Sequence, residues 1–344
     1  MIRDYLWALT VSENIEKCIL ENSNHCSSFH YLHQWENESF NDFCKRSNYV
    51  LKEKVHSTSE IIKKYKNNGM NGMLEKFPKG NKFYKADSNA FESLSEKLAS
   101  ILLKYSNLDP SSYITYDLVP LIIDNKYKVG CESLNFRNQY PYEQILFYIQ
   151  SQESSSKTKL HTKTIFKIIN SMIGIKPKFQ LLTELVSIKT MMKEPEIEVR
   201  LMAMMAFDLL ILNRDRHYGN LIFLDDLMGN VNPIPLIDYG SSVLGGVNSE
   251  DIRKNFFPKA ESFSDIFKIV INQNDRMFNE PLYKLGEFTK SRNFYLYFDY
   301  ERVCSELETL VETQLLYKPH EVKISIDFLL YCLDETEEIL WRKM

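Results

Sequence analysis

The stretch NRDRHYGN, residues 213–220, lies between an apolar helical pattern and a short predicted strand. The run Glu196–Leu212 before it is apolar nearly all round, which is typical of a helix buried in a core. After it, Leu221–Leu224 and Ile234–Ile237 are predicted strands joined by the turn-rich sequence DDLMGNVN. The second strand runs into PLIDYG, residues 235–240, so Asp238 is expected at a strand end beside a glycine.

This loop and strand end carry side chains that suit phosphoryl transfer. Such a transfer needs a carboxylate near the attacking hydroxyl, oxygen ligands for Mg²⁺ and cations on the phosphates. Asp215 and Asn220 share a short loop and can place a base and a metal ligand on one side of a site. Asp238 can supply a second hard oxygen ligand. The order of loop, hairpin and strand-end aspartate therefore predicts a kinase.

The same residues resemble a known family. NRDRHYGN followed by LIDYGSS is similar to the HipA-like and CtkA-like bacterial serine/threonine kinases, and to the D-R-H-x-x-N loop of phosphatidylinositol kinases. Eukaryotic-type protein kinases place the histidine before the aspartate, whereas His217 follows Asp215 here. The resemblance implies that Asp215 is the catalytic base and that Asn220 and Asp238 hold Mg²⁺. It also implies that His217 orients the loop or touches the transferring phosphate.

A second segment agrees with this resemblance. NKFYKAD, residues 81–87, and the helical pattern Phe91–Tyr105 after it are similar to the part of these kinases that carries the nucleotide lysine. Lys85, in a predicted strand, would then pair with the ATP phosphates, and a helix glutamate would hold it. Glu92 and Glu96 share one helix face, so either can be that partner, and we prefer Glu92. No G-x-G-x-x-G precedes Lys85, so the position of the phosphate-binding loop is not predicted.

The patterns along the chain predict an α+β fold. Strands and one helix dominate the first half, and helices dominate after about residue 140. The resemblance implies a two-lobed protein-kinase-like fold with a small β-rich N-lobe and a larger helical C-lobe. We place an N-terminal segment plus the N-lobe at residues 1–135 and the C-lobe at 136–344. The further predicted segments are strands Lys82–Ala86, Tyr113–Val119 and Tyr127–Cys131, loops Asn67–Gly80 and Ser151–Lys159, and helices Glu301–Leu316 and Val322–Arg342.

The composition of the chain is that of an ordinary globular protein, with 44% hydrophobic and 26% charged residues among 344. The net charge of −4 argues against general nucleic-acid binding. The longest apolar run, Leu201–Leu212, is interrupted by Asp208 and is too short to span a bilayer. The six cysteines lie scattered without CxxC spacing, as expected of free thiols in a reducing compartment. The N-terminus lacks a signal-peptide pattern, so we expect a cytoplasmic protein without membrane association; export by a dedicated apparatus is compatible with this pattern.

The sequence therefore predicts an ATP- and Mg²⁺-dependent HipA-like serine/threonine protein kinase. The acceptor implied by the resemblance is a protein serine or threonine hydroxyl, including one on the enzyme itself. A lipid or small-molecule kinase of the phosphatidylinositol-kinase type is one alternative, because it would use the same site. A non-catalytic nucleotide-binding module is another, favoured by the missing glycine-rich loop and opposed by the intact trio of Asp215, Asn220 and Asp238. The sequence predicts neither the oligomeric state nor a role for residues 1–65.

Overall fold

A five-stranded sheet forms the first part of the fold. The computed structural model describes residues 52–55, 75–79, 81–87, 91–123, 126–135, 142–144, 169, 171–190, 192–226, 230–233, 236–242, 257–314, 316–317, 319–337 and 339–344. Its strands are β1 (Lys52–Val55), β2 (Glu75–Lys79), β3 (Lys82–Ala86), β4 (Asp117–Ile123) and β5 (Lys126–Leu134). The sheet has the order β1-β4-β5-β3-β2, and all neighbours are antiparallel except β1 and β4.

One helix, α1 (Glu92–Lys104), packs against β3, β4 and β5. Its start is fixed by Asp87, whose Oδ1 accepts a hydrogen bond from the backbone N–H of Ser93 at 2.7 Å and so satisfies one of the unpaired donors of the first turn. Leu94, Leu98 and the rest of its apolar residues are buried in the main core. The helix therefore presents its inner face to the sheet and to the helical part of the chain.

The remaining elements are mostly helices. These elements are β6 (Tyr142–Gln144), α2 (Ile175–Thr190), α3 (Glu194–Leu210), β7 (Ile222–Asp226), β8 (Asn230–Pro233), α4 (Phe263–Ile271), α5 (Leu282–Ser291), β9 (Leu296–Phe298), α6 (Tyr300–Thr313), α7 (Pro319–Thr336) and β10 (Trp341–Lys343). The helix α3 is buried from Leu201 onward and contacts α2, α5, α7 and β9. β6, β7 and β8 form a small antiparallel sheet, and β9 and β10 pair in parallel.

The α+β class is confirmed: a small, mainly antiparallel sheet is followed mostly by helices. The predicted strand Lys82–Ala86 is confirmed as well. Within the described residues, every helix is too short or too polar to span a bilayer.

Two predicted boundaries near the start of the sheet are wrong. The described part of the predicted loop Asn67–Gly80 is β2, which pairs with β3, and the rest of that range lies outside the described residues. The strand predicted at Tyr113–Val119 begins only at Asp117, because Tyr113 bridges to Leu236 and the backbone N–H of Tyr116 donates to the hydroxyl of Ser100 at 2.8 Å. The predicted loop Ser151–Lys159 lies outside the described residues.

Two predicted boundaries in the second half also differ. Half of the strand predicted at Ile234–Ile237 lies outside the described residues; within the described half, Leu236 makes one isolated parallel bridge with Tyr113, and the strand that pairs with β7 is β8. The helix predicted to reach Arg342 ends at Thr336. The indole of Trp341 is fully buried and donates to the carbonyl of Leu333 at 2.8 Å, and Trp341 is the first residue of β10.

Candidate active site

The side chain of Lys85 lies at the centre of the candidate site, projecting from β3 with only 4% of it exposed. Its Nζ donates to Oε1 of Glu96 on α1 and to Oδ1 of Asp238, the latter at 2.9 Å. The ring of Tyr116 lies 4.5 Å from the same ammonium. Burial lowers the pKa of Lys85, but the two carboxylates outweigh it and raise that pKa well above its usual value. The ammonium of Lys85 is therefore shared by Glu96 and Asp238, which favour its charged form.

Glu96, and not the preferred Glu92, is the buried partner of Lys85, so that preference is wrong. Glu96 is fully buried, and its second oxygen accepts from the backbone N–H of Tyr239 at 3.0 Å. Glu92 is half-buried at the first residue of α1, where its charge acts on Asp87. Glu96 lies about one turn after Glu92 in α1, and it is this second turn of the helix that faces Lys85.

Asp238 adopts a left-handed backbone conformation with φ of 65°. Such a conformation in a residue other than glycine costs about 1–3 kcal/mol and persists where the surroundings impose it. Here Arg216 holds the preceding carbonyl, that of Ile237, at 2.6 Å, and Glu96 holds the following N–H, that of Tyr239. Burial raises the pKa of Asp238, but Lys76 and Lys85 outweigh it and hold the pKa well below its usual range. A charged carboxylate is thus held toward Lys76 and Lys85.

The 213–220 loop is anchored by a buried ion pair with α3. Arg216 donates from Nε and Nη2 to the two oxygens of Asp208, each at 2.7 Å, and both side chains are buried. Asn213 also donates from its side chain to Asp208 at 2.9 Å. Asp208 therefore positions the loop, a role that the sequence reasoning missed. The available signal was a single acid inside an otherwise apolar helix.

Asp215 lies at the outer side of this loop, with 39% of its side chain exposed. Its Oδ1 forms an ion pair with Arg276, and its Oδ2 accepts from the hydroxyl of Ser241 at 3.3 Å. Ser241 follows Asp238 closely in the chain, so this contact brings the two predicted acidic segments together. No local signal pointed to Arg276, which lies between α4 and α5 and far from the motif in sequence.

His217 precedes a 3₁₀ turn, Tyr218–Asn220, which ends at Asn220 and leads into β7. Burial lowers the pKa of His217, which favours the neutral imidazole near pH 7. Asn220 is buried, and the hydroxyl of Tyr218 donates to the carbonyl of Met277 at 2.8 Å, which fixes the turn. Antiparallel β7 and β8 then lead the chain from Asn220 toward Asp238; the sequence predicted such a pair of strands, but placed the second one at Ile234–Ile237.

The donor set suits a hard divalent cation. The carboxylate of Asp238 and the amide of Asn220 offer oxygen ligands, which Mg²⁺ prefers. Among the described residues, no three His, Cys, Asp or Glu side chains cluster as a metal site. Mg²⁺ typically takes one or two protein ligands and completes its shell with water and phosphate oxygens, so Asp238 and Asn220 are of the types that it uses.

Lys76 is a second cation at the site that the sequence reasoning missed. It lies on β2 directly opposite Lys85 in the strand register. Its Nζ is 3.8 Å from Oδ2 of Asp238, and 15% of its side chain is exposed. The prediction of a loop over Asn67–Gly80 concealed it, because only a strand fixes which residues share a face.

Comparisons with known proteins give structural similarity without sequence similarity. No protein-family model matches the chain, and no curated protein matches its sequence. The crystal structure of the proinflammatory kinase CtkA of Helicobacter pylori matches with a TM-score of 0.45 and 15% identity, over 77% of this chain and 88% of that one. HipA of Shewanella oneidensis, from a HipA–HipB toxin–antitoxin complex with operator DNA, matches with a TM-score of 0.39 and 15% identity, over 81% and 70%. The chain is structurally similar to CtkA and HipA, at low sequence identity.

Proposed function

We propose that this protein is an ATP- and Mg²⁺-dependent serine/threonine protein kinase. One observation carries the proposal: Lys85, buried on a strand, forms ion pairs with both Glu96 of α1 and Asp238 beyond the hairpin. A lysine held by a helix glutamate next to a metal-binding aspartate is the arrangement by which kinases grip ATP phosphates.

The residues divide the work of transfer between them. Asp238 and Asn220 would hold Mg²⁺, which when bound neutralises charge on the phosphates. Lys85 contacts phosphate oxygens, and Glu96 keeps its ammonium in place. Asp215 orients the acceptor hydroxyl and takes its proton as the oxygen–phosphorus bond forms. The buried Arg216–Asp208 ion pair holds the loop that carries Asp215 against α3.

The acceptor that we propose is a serine or threonine hydroxyl of a protein, with the enzyme itself as one substrate. The exposure of Asp215 supports a large acceptor, because a macromolecular hydroxyl can reach its carboxylate from solvent. The contact from Ser241 supports a hydroxyl acceptor, since such a group already lies at this carboxylate.

The proposed architecture follows from these roles. The sheet with α1 is the small N-lobe, reaching to about residue 135, and residues 136–344 are the helical C-lobe. Lys85 and Glu96 come from the first part, whereas Asp215, Asn220 and Asp238 come from the second. ATP would bind between these two parts, with its phosphates toward Lys85.

The test is incubation with radiolabelled ATP and Mg²⁺, alone and with a generic protein acceptor. We expect label on protein with the unmutated chain, and a loss of about 10²–10⁴-fold with Asp215→Asn while nucleotide binding remains. Asp238→Ala removes the proposed metal ligand and should abolish transfer. The matched control is Asp327→Asn, at an exposed aspartate of α7. Bound nucleotide with no labelled protein in any sample would refute the protein-kinase proposal.

A further inference from the structure

The turn between α4 and α5, residues 272–281, contains two features that cost free energy. Asp275 is only 2% exposed, and its Oδ1 accepts from the backbone N–H groups of Met277 and Phe278, both at 2.8 Å. Asn279 has a left-handed backbone conformation with φ of 52°. A buried carboxylate and a left-handed residue persist only where the surroundings impose them, and such features gather at functional sites. The turn is therefore a candidate for a role in function.

A buried lysine supports this turn from the helical core. Lys178 of α2 has 3% of its side chain exposed, and its Nζ donates to the carbonyl of Phe278. The same Nζ lies 3.8 Å from Oε1 of Glu280. A buried cation requires polar partners, and Lys178 has both of these in the turn. The conformation of the turn is thus fixed from the inside of the protein.

Two further hydrogen bonds join the turn to the 213–220 loop. The hydroxyl of Tyr218 donates to the carbonyl of Met277 at 2.8 Å. The backbone N–H of Arg276 donates to the carbonyl of Arg214 at 3.2 Å. The backbone of Arg276 therefore has a fixed position next to the residue that precedes Asp215.

The side chain of Arg276 extends from this fixed backbone to Asp215. It is 64% exposed, and its Nη1 donates to Oδ1 of Asp215. An exposed ion pair of this kind adds little to stability, so stability does not account for the support beneath it. The pair does fix the orientation of the carboxylate. With Oδ1 held by Arg276, Oδ2 is the oxygen that meets the hydroxyl of Ser241 at 3.3 Å.

We infer that Arg276 is a positioning residue for phosphoryl transfer, holding Oδ1 of Asp215 so that Oδ2 meets the acceptor hydroxyl. The inference rests on the proposed function and adds to it a residue that selects the reacting oxygen. The acceptor hydroxyl takes the place in which the hydroxyl of Ser241 now lies. Its proton passes to Oδ2 while its oxygen bonds to the γ-phosphorus and the bond from that phosphorus to the ADP oxygen breaks. Such a transfer depends on alignment more than on covalent chemistry by the protein, so a cation on Oδ1 is compatible with it.

Two other roles for Arg276 would give different kinetics. An arginine that blocks Asp215 would slow the reaction, so its removal would raise kcat. An arginine that binds phosphate or the acceptor directly would act independently of Asp215. Its loss would then multiply with the loss caused by Asp215→Asn, whereas a positioning residue acts through Asp215 alone.

The experiment measures steady-state transfer from radiolabelled ATP to a protein acceptor. Arg276→Met should lower kcat by about 10- to 100-fold and leave the KM for ATP within about 2-fold, because the base is misplaced while the nucleotide site is intact. Arg276→Lys should restore part of the loss, since it keeps the charge without the planar guanidinium. Added to Asp215→Asn, Arg276→Met should lower the remaining rate by less than about 3-fold.

The matched control is Arg302→Met on α6. Arg302 is 73% exposed, and its Nε lies 3.2 Å from Oδ2 of Asp299, so it is also an exposed arginine in an ion pair. This variant should keep the kcat of the unmutated protein. Arg276→Met should unfold at the same urea concentration as the unmutated protein, because its backbone contacts remain.

The outcomes separate the inference from the proposed function. An unchanged or raised kcat for Arg276→Met, or a loss that multiplies with that of Asp215→Asn, would overturn the positioning role. Normal transfer by Arg276→Met beside failed transfer by Asp215→Asn would do so and leave the kinase proposal intact. An unmutated protein that labels no protein acceptor would overturn both. Arg276→Gln is the second variant if Arg276→Met does not fold, and it should show the same lack of additivity with Asp215→Asn.

Discussion

Replacing Asp208 with asparagine should destabilise the protein by about 3–5 kcal/mol, because it breaks a buried ion pair at one partner. The Asp208 carboxylate accepts two hydrogen bonds from Arg216 at 2.7 Å and one from Asn213 at 2.9 Å. Asparagine keeps the shape but turns one of these acceptors into a donor that faces other donors. A lost charge-assisted hydrogen bond contributes about 1.5–3 kcal/mol. The buried guanidinium left without an anion contributes the rest.

The assay is urea unfolding followed by circular dichroism, with the slope of the transition compared to exclude a change in the unfolded state. The matched control is again Asp327→Asn, which removes an exposed pair with Lys323 at 3.3 Å and should change the free energy of unfolding by less than about 1 kcal/mol. A double change, Asp208→Leu with Arg216→Met, should recover part of the loss, because no charge is then left buried alone. A loss below about 1 kcal/mol for Asp208→Asn would refute the argument that this pair anchors the loop.

Three further predictions test the surroundings of Lys85. Glu96→Gln should lower the free energy of unfolding, measured by urea unfolding, by about 3–5 kcal/mol, because it removes a buried charged partner of Lys85. Glu92→Gln should lower it by less than about 1 kcal/mol, and the reverse order would contradict the pairing. Gly130→Ala should lower the free energy of unfolding by about 1–3 kcal/mol and weaken ATP binding, because the added Cβ would lie 2.5 Å from the carbonyl oxygen of Lys85. An unchanged free energy of unfolding would contradict this. Burial and the charge of Glu92 raise the pKa of Asp87 from 3.8 to about 7. Between about pH 4 and 7 the folded chain therefore keeps a proton on Asp87 that the unfolded chain releases, so the free energy of unfolding should fall as pH rises through this range. Asp87→Asn should flatten that fall in urea unfolding measured at several pH values, and an unchanged slope would show that other groups cause it.

Local patterns predicted the elements that carry the site, because their signals lie within a few residues. Lys85 sits in the predicted strand, and the 213–220 loop follows the predicted buried helix. A strand needs only alternation and β-branched or aromatic residues, and a buried helix only a continuous apolar surface. The chemistry of Asp215 and Asp238 followed from their residue types and spacing. The kinase-type arrangement was thus predictable as a hypothesis before any tertiary contact was known.

Contacts across the fold were not predictable in this way. The choice of Glu96 over Glu92 depends on where α1 begins and which of its turns passes Lys85. Lys76 faces Lys85 only because β2 pairs with β3 in one register. Arg276 reaches Asp215 from the segment between α4 and α5, which no local pattern connects with the loop.

The sequence by itself determined the α+β class, the main helices and strands, and the residue types available for phosphoryl transfer. Only the tertiary structure decided which charges meet: two lysines and two acids at one point, and an arginine on the exposed aspartate. The physical reason is that periodicity and propensity act over a few residues along the chain. The pairing of buried charges depends on strand register, helix position and chain crossings, which are set by burying the core as a whole.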